Sequence, residues 1–161
     1  MTELRNMAKI ELICIGNQKF KALSELEKDY EKKINFFSPF KISIQKSSKH
    51  GDEKKSMKTD GEKILERVGT NSILISLDRK GKEYNSEQFA RFISDKLNYS
   101  NRNLLFVIGD APGLSEDVIL RSDAINSFSK MTFAHDIFKI VFLEQLYRAF
   151  TIIKNTGYHR N

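Results

Sequence analysis

The chain is 161 residues long, 40% hydrophobic and 30% charged, which suits one domain with its own core and is too little for two. A formal net charge of +6 and a pI near 9.3 favour a polyanionic partner, because each phosphate neutralised by Lys or Arg releases condensed counterions. The single cysteine, Cys14, excludes an intrachain disulfide, a cysteine-rich zinc site and a thiolate-held iron–sulfur cluster, so no metal is expected and a reducing cytoplasm fits.

Lys9-Ile10-Glu11-Leu12-Ile13-Cys14-Ile15 predicts a first strand, stopped by Gly16-Asn17. Residues 1–6 are expected to be a short extension before Met7. Phe20, Leu23, Leu26, Tyr30 and Ile34 recur at helical spacing and predict a helix over 18–34. Pro39 opens a second strand that runs to Ile44. Residues 45–60 then turn polar and rich in lysine, with Lys46, Lys49, Lys54, Lys55 and Lys58. This stretch is expected to form a flexible basic loop with a solvated His50.

A helix over 61–68 leads through Gly69 to an apolar strand at 72–77 and a turn at Gly81. Asn85 with Gln88 predicts a capped helix start, and Phe89, Phe92, Ile93 and Leu97 give that helix its apolar face. Leu104 to Ile108 is a fourth strand. Ser115 caps a short helix to about residue 123, residues 126–131 read as a weaker strand, and the last helix runs from 136 to 155. Strands alternating with helices imply a single α/β domain over 1–161 with a mostly parallel sheet flanked by helices. The apolar runs are strand-sized and the N-terminus lacks the apolar centre of a signal peptide, so neither membrane insertion nor export is expected.

The final helix is apolar over too much of its circumference for a surface helix. Glu144, Arg148, Thr151 and Asn155 form one polar stripe, while Phe138, Phe142, Leu143, Leu146, Phe150 and Ile153 cover most of the rest. A second subunit related by a twofold axis would cover the excess. A central helix sandwiched within one domain would do so as well.

Glycines after strand ends are where α/β folds place ligands, since backbone amides are then approachable. Gly109 and Gly113 meet that description, but their spacing is neither a Walker loop nor G-x-G-x-x-G, which speaks against a conventional nucleotide-binding domain. Read alone, an ordinary loop is the simpler account.

Two segments carry more. Ile108-Gly109-Asp110-Ala111-Pro112-Gly113-Leu114-Ser115, and Leu146-Tyr147-Arg148-Ala149-Phe150 with the tail Tyr158-His159-Arg160, resemble the ribosomal RNA large subunit methyltransferase H family of SPOUT-class enzymes. Ser76-Leu77-Asp78, Gly81-Lys82, the opening strand and the length extend the resemblance over essentially the whole chain. It implies a SPOUT-type α/β knot, with the C-terminal part tied into a trefoil. It also implies a homodimer, S-adenosyl-L-methionine as cofactor, and methylation of pseudouridine N3 in 23S ribosomal RNA on assembled ribosomes.

Carried over by position, the cofactor contacts fall at Leu77, Gly109, Phe128, Ser129, Lys130, Met131, Thr132 and Phe133, and the catalytic group at Arg148, Tyr158, His159 and Arg160. In these roles His159 is base or substrate anchor, Arg148 and Arg160 are electrostatic contacts, and Tyr158 stacks on a splayed base. His135 is placed to cap the last helix or line the site. The loop departs from the family at Asp110, where a second glycine is usual, and at Ala111-Pro112, where proline then glutamate are usual. Asp136 stands for proline and Lys139 for arginine, which keeps the charge without the guanidinium fork. A noncatalytic RNA- or ribosome-binding protein of the same fold is the alternative. Without the resemblance, the apolar residues read as core packing and the tail as a disordered terminus.

Overall fold

The computed structural model describes Met7 to Arg160, the side chains of His159 and Arg160 excepted. The expected extension at 1–6 therefore lies outside the described residues. Five strands, β1 (Ile10–Ile15), β2 (Phe40–Gln45), β3 (Ser72–Glu83), β4 (Asn103–Ile108) and β5 (Ala124–Ser127), form one sheet in the order β2-β1-β4-β3-β5. Every pairing is parallel. Five helices connect and cover it: α1 (Ser24–Asn35), α2 (Glu53–Arg67), α3 (Ser86–Ser100), α4 (Glu116–Arg121) and α5 (His135–Ile153).

The central strands are apolar on both sides because both sheet faces are covered. Leu12, Cys14, Ile75, Leu77, Phe106 and Ile108 meet α1, α3 and α5 through Ile34, Phe89, Ile93, Phe142 and Leu146. Ile13, Leu74, Leu105 and Val107 meet α2 and α4 through Ile64 and Val118 on the other face. The Asn85–Gln88 capping box forms as read from the sequence, each side chain bonding the other's backbone N–H.

Several boundaries differ from expectation for local reasons. The first helix begins at Ser24, not residue 18, because the buried Asp136 carboxylate holds Lys19 and Phe20 in a loop by accepting from both backbone N–H groups. The lysine-rich stretch is helical in its second half: Asp52 caps α2, and the buried Asp60 accepts from the Ser48 N–H and hydroxyl, tying residues 47–48 to the helix. Thr151 is not on an exposed stripe. It is 1% exposed, and its hydroxyl donates to the Arg148 carbonyl at 2.7 Å. α5 lies between α1 and α3 on the sheet, so much of its apolar surface is covered within the protomer.

The strand expected at 126–131 is Ala124–Ser127, and β3 continues past the turn expected at Gly81. One arrangement accounts for both. Asn126 lies opposite Leu77 and also opposite Lys82, so residues 78–81 bulge out of the ladder beside β5. The approach at the bulge is tight: a Cβ on Gly81 would stand 2.5 Å from the Ile125 carbonyl oxygen and 2.8 Å from the Asn126 nitrogen. Only glycine allows backbones that close.

Candidate active site

The register gathers the expected cofactor residues at the carboxyl edge of three adjacent strands. Leu77, 5% exposed near the bend of β3, pairs with Ile108, so Gly109 follows directly beside it. Leu77 also pairs with Asn126, which places the segment from Phe128 against the same edge. A Cβ on Gly109 would come within 2.6 Å of the Gly113 carbonyl carbon, so its glycine is required by the fold of its own loop. Asp110 supports that loop. Its carboxylate accepts from the Ala111 N–H and its carbonyl from the Gly113 N–H, which turns the chain back on itself.

Within 128–133 the residues divide by environment. Phe128 is anchored, edge-on to Phe89 at 5.2 Å and to Phe138 at 5.6 Å. Ser129 shapes the turn, its carbonyl accepting from the Ser127 hydroxyl and its own hydroxyl from the Met131 N–H. Lys130 and Thr132 are exposed, Met131 is 74% exposed, and Phe133 is 38% exposed while stacked on Phe138 at 6.1 Å. The loop thus offers one fixed aromatic wall and two apolar side chains open to solvent.

Behind it lies a buried charged cluster. Lys139, 1% exposed, pairs with Glu27 at 2.6 Å, so its charge is engaged inside the protein and it is no phosphate clamp. Removing one partner leaves the other charge buried and uncompensated. Glu27→Gln should therefore lower stability by about 3 kcal/mol in urea unfolding, the low end because Glu27 keeps some water, whereas Glu27→Leu with Lys139→Met should restore most of it.

Burial would raise the carboxyl pKa of Asp136, but the N–H groups of Phe20 and Lys19, the His135 ring and the Lys139 charge outweigh it and hold it below its ordinary 3.8. Stability from a depressed carboxyl is fully present above the unfolded value and is lost as pH falls through the folded one. Thermal unfolding of the wild type should therefore weaken below about pH 3.8, and Asp136→Asn should flatten that acid limb. His135 opens α5, with its Nδ1 3.5 Å from Asp136.

The structure does not bring the tail to these loops within one protomer. Tyr158 packs edge-on against Tyr147 at 4.8 Å, covers the Arg148 guanidinium at 5.0 Å and donates to Glu144 at 3.3 Å. Burial, then the Tyr30 and Glu144 neighbours, push its hydroxyl up to about 12, so it acts as a neutral donor. Arg148 is bound to Glu144 through Nε and one terminal nitrogen, at 2.9 and 2.6 Å. The backbone of 157–160 forms a 3-10 turn; the side chains of His159 and Arg160 lie outside the described residues. A groove of about 830 Å³ beside Arg148, with Arg91 and Ser94 on its other wall, separates α3 from the end of α5.

Sequence reading missed two features. Lys139–Glu27 joins residues remote in sequence, and only the distance between an acid on α1 and a lysine on α5 reveals it. Asn126 was within reach, as an amide following Ala124-Ile125 in the short strand β5. It is fully buried, and both its side-chain oxygen and nitrogen lack a partner among the described residues.

Glycine loops lie at the carboxyl edge of an all-parallel sheet, and a family model described as "Predicted SPOUT methyltransferase" matches residues 8–159, which makes the protein a SPOUT methyltransferase. The fold resembles that of a probable methyltransferase from Bordetella pertussis Tohama I, at a TM-score of 0.56 and 10% identity over 92% of this chain and 98% of that one. A probable methylase family protein from Haemophilus influenzae Rd KW20 gives a TM-score of 0.52 at 12% identity, over 96% and 71%. In sequence the chain is 40% identical over 153 residues to the Ribosomal RNA large subunit methyltransferase H of Christiangramia forsetii, covering 93% of this chain and 98% of that one. It is 39% identical over 158 residues to that of Clostridium acetobutylicum, covering 94% and 99%. The chain belongs to the ribosomal RNA large subunit methyltransferase H family.

The methyl donor of this class is S-adenosylmethionine. The residues present fit it: Leu77 and Phe128 could supply apolar walls for a purine, the turn at Gly109 brings backbone close, and Asn126 has an amide without a partner among the described residues at the same edge.

Proposed function

We propose that this protein transfers a methyl group from S-adenosylmethionine to N3 of a pseudouridine in 23S ribosomal RNA, on assembled ribosomes in the cytoplasm. The observation that carries it is the convergence of Leu77, Gly109 and Phe128–Phe133 on one sheet edge in a chain of this family. The bound cofactor supplies an electrophilic sulfonium methyl. What remains for the protein is to align the attacking N3 with it and to take the N3 proton. His159 is the base in this reading, Arg160 stabilises the anion left on the base ring, and Tyr158 offers a face for stacking. Arg148 acts one step back, as the residue that positions Tyr158.

The active unit in this reading is a homodimer. Tyr158 docks at Glu144 to Arg148, some 9–13 residues along α5 from the cofactor loops, or about 14–20 Å at 1.5 Å per residue. A tail held there serves a site other than that of its own protomer. The open apolar side chains of Met131, Phe133 and Ile137 at the start of α5, with Phe20, give a second copy something to cover.

A noncatalytic binder of the same fold is separated by calorimetry, since only the enzyme must bind S-adenosylmethionine. RNA binding should weaken steeply with salt, because Lys46, Lys49, Lys54, Lys55 and Lys58 are all exposed on α2 and the strap before it. Replacing Lys54, Lys55 and Lys58 with glutamine should reduce the slope of log K against log salt by about 0.7 for each phosphate left unneutralised. An unchanged slope would place the RNA elsewhere.

A further inference from the structure

Asn126 is a polar side chain where the fold calls for an apolar one. It is 0% exposed, and neither its oxygen nor its nitrogen has a hydrogen-bond partner among the described residues. Buried carboxamides are normally paired, because an unmade bond costs the full desolvation of the group. Nearby polar groups follow the rule: Ser76 and Ser122 bond each other at 2.6 Å, and the Ser127 hydroxyl reaches the Ser129 carbonyl at 3.0 Å. Asn126 also has little freedom to leave. Its backbone is held between Leu77 and Lys82, and the Gly81 backbone presses against it.

Register puts this amide on the sheet face of Leu77, two residues before Phe128. A carboxamide presents an acceptor and a donor side by side, without charge. A purine amine next to a ring nitrogen presents the complementary pair, whereas a carboxylate or a sulfonium would call for charge. We propose that Asn126 binds the adenine edge of the cofactor, its oxygen accepting from the 6-amino group and its NH2 donating to the adjacent ring nitrogen. This rests on the cofactor reading of the Leu77, Gly109 and Phe128 edge. It makes Asn126 a specificity-determining residue that stabilises the loaded protein and strains the empty one.

The test is calorimetry on the full chain with S-adenosylhomocysteine and with its analogue lacking the 6-amino group, for wild type, Asn126→Leu and Asn126→Ala. Asn126→Leu should leave the unfolding temperature of the empty protein unchanged or raised, and should weaken S-adenosylhomocysteine about tenfold. Loss of the 6-amino group should weaken wild type to a similar degree and both variants far less, the non-additivity expected of groups in contact. The alanine variant carries the same comparison if the leucine side chain overfills the site. Wild-type affinity in both variants, or an undiminished preference for the 6-amino group, would overturn the role of Asn126 while leaving the cofactor site standing. Failure of wild type to bind S-adenosylhomocysteine would instead overturn the cofactor reading, and the proposal with it.

Discussion

Deleting residues 158–161 is expected to abolish methyl transfer while leaving the fold and cofactor binding nearly intact. Tyr158 lies outside the core, against Tyr147 and Arg148, and the proposed cofactor loops are anchored by Phe128, Phe89 and Phe138 at the other end of α5. Thermal unfolding and S-adenosylhomocysteine binding should therefore change little. Methylation should fall by the contribution of a general base and its electrostatic partners together, at least about 10²- to 10⁴-fold. If the tail serves the neighbouring protomer, mixing the truncated chain with an intact chain that cannot bind cofactor should recover activity neither has alone. A truncated enzyme with wild-type turnover would remove the tail from the mechanism.

Gly81→Ala is expected to be among the most damaging single-methyl changes in the chain. The added carbon would lie 2.5–2.8 Å from three backbone atoms of Ile125 and Asn126, none of which can rotate away. Relief requires moving β5 or opening residues 78–81, at a cost of about 3 kcal/mol, near the top of the usual range for overpacking. For a domain of this size that is roughly 10 °C in unfolding temperature. Because both limbs of β3 hold Asn126 in place, cofactor affinity should fall too. Gly157→Ala is the control, since a Cβ there meets nothing within 4 Å among the described residues. Equal stability of the two variants would mean that the bulge of β3 is not closely packed against β5.

The layered plan of the fold was legible because burial on both faces writes itself into composition. Leu12–Ile15 of β1, Ile73–Ile75 of β3 and Leu104–Ile108 of β4 are continuous apolar runs, and the Asn85–Gln88 box marks the start of α3 in side-chain chemistry alone. What was not legible depends on interactions between residues far apart in the chain. Periodicity predicts a helix from residue 18, but Asp136, more than a hundred positions away, keeps 19–20 in a loop. It ends β3 at the bend, but pairing of Lys82 and Glu83 with β5 extends the strand. Gly81 reads as a turn glycine in sequence and proves to be a point of close backbone approach. The proposed cofactor residues are recognisable only through the family resemblance. Phe128 and Leu77 on their own are indistinguishable from core, and the exposure of Met131 and Phe133 is a property of the folded loop.

The decisive measurement is to incubate ribosomes lacking the modification with the purified protein and S-adenosylmethionine labelled in its methyl group, and then to map the labelled nucleotide. Label is expected at N3 of a pseudouridine in 23S RNA, with none transferred by the chain lacking residues 158–161. Label absent from the RNA, or present on a different base atom, would contradict the assignment.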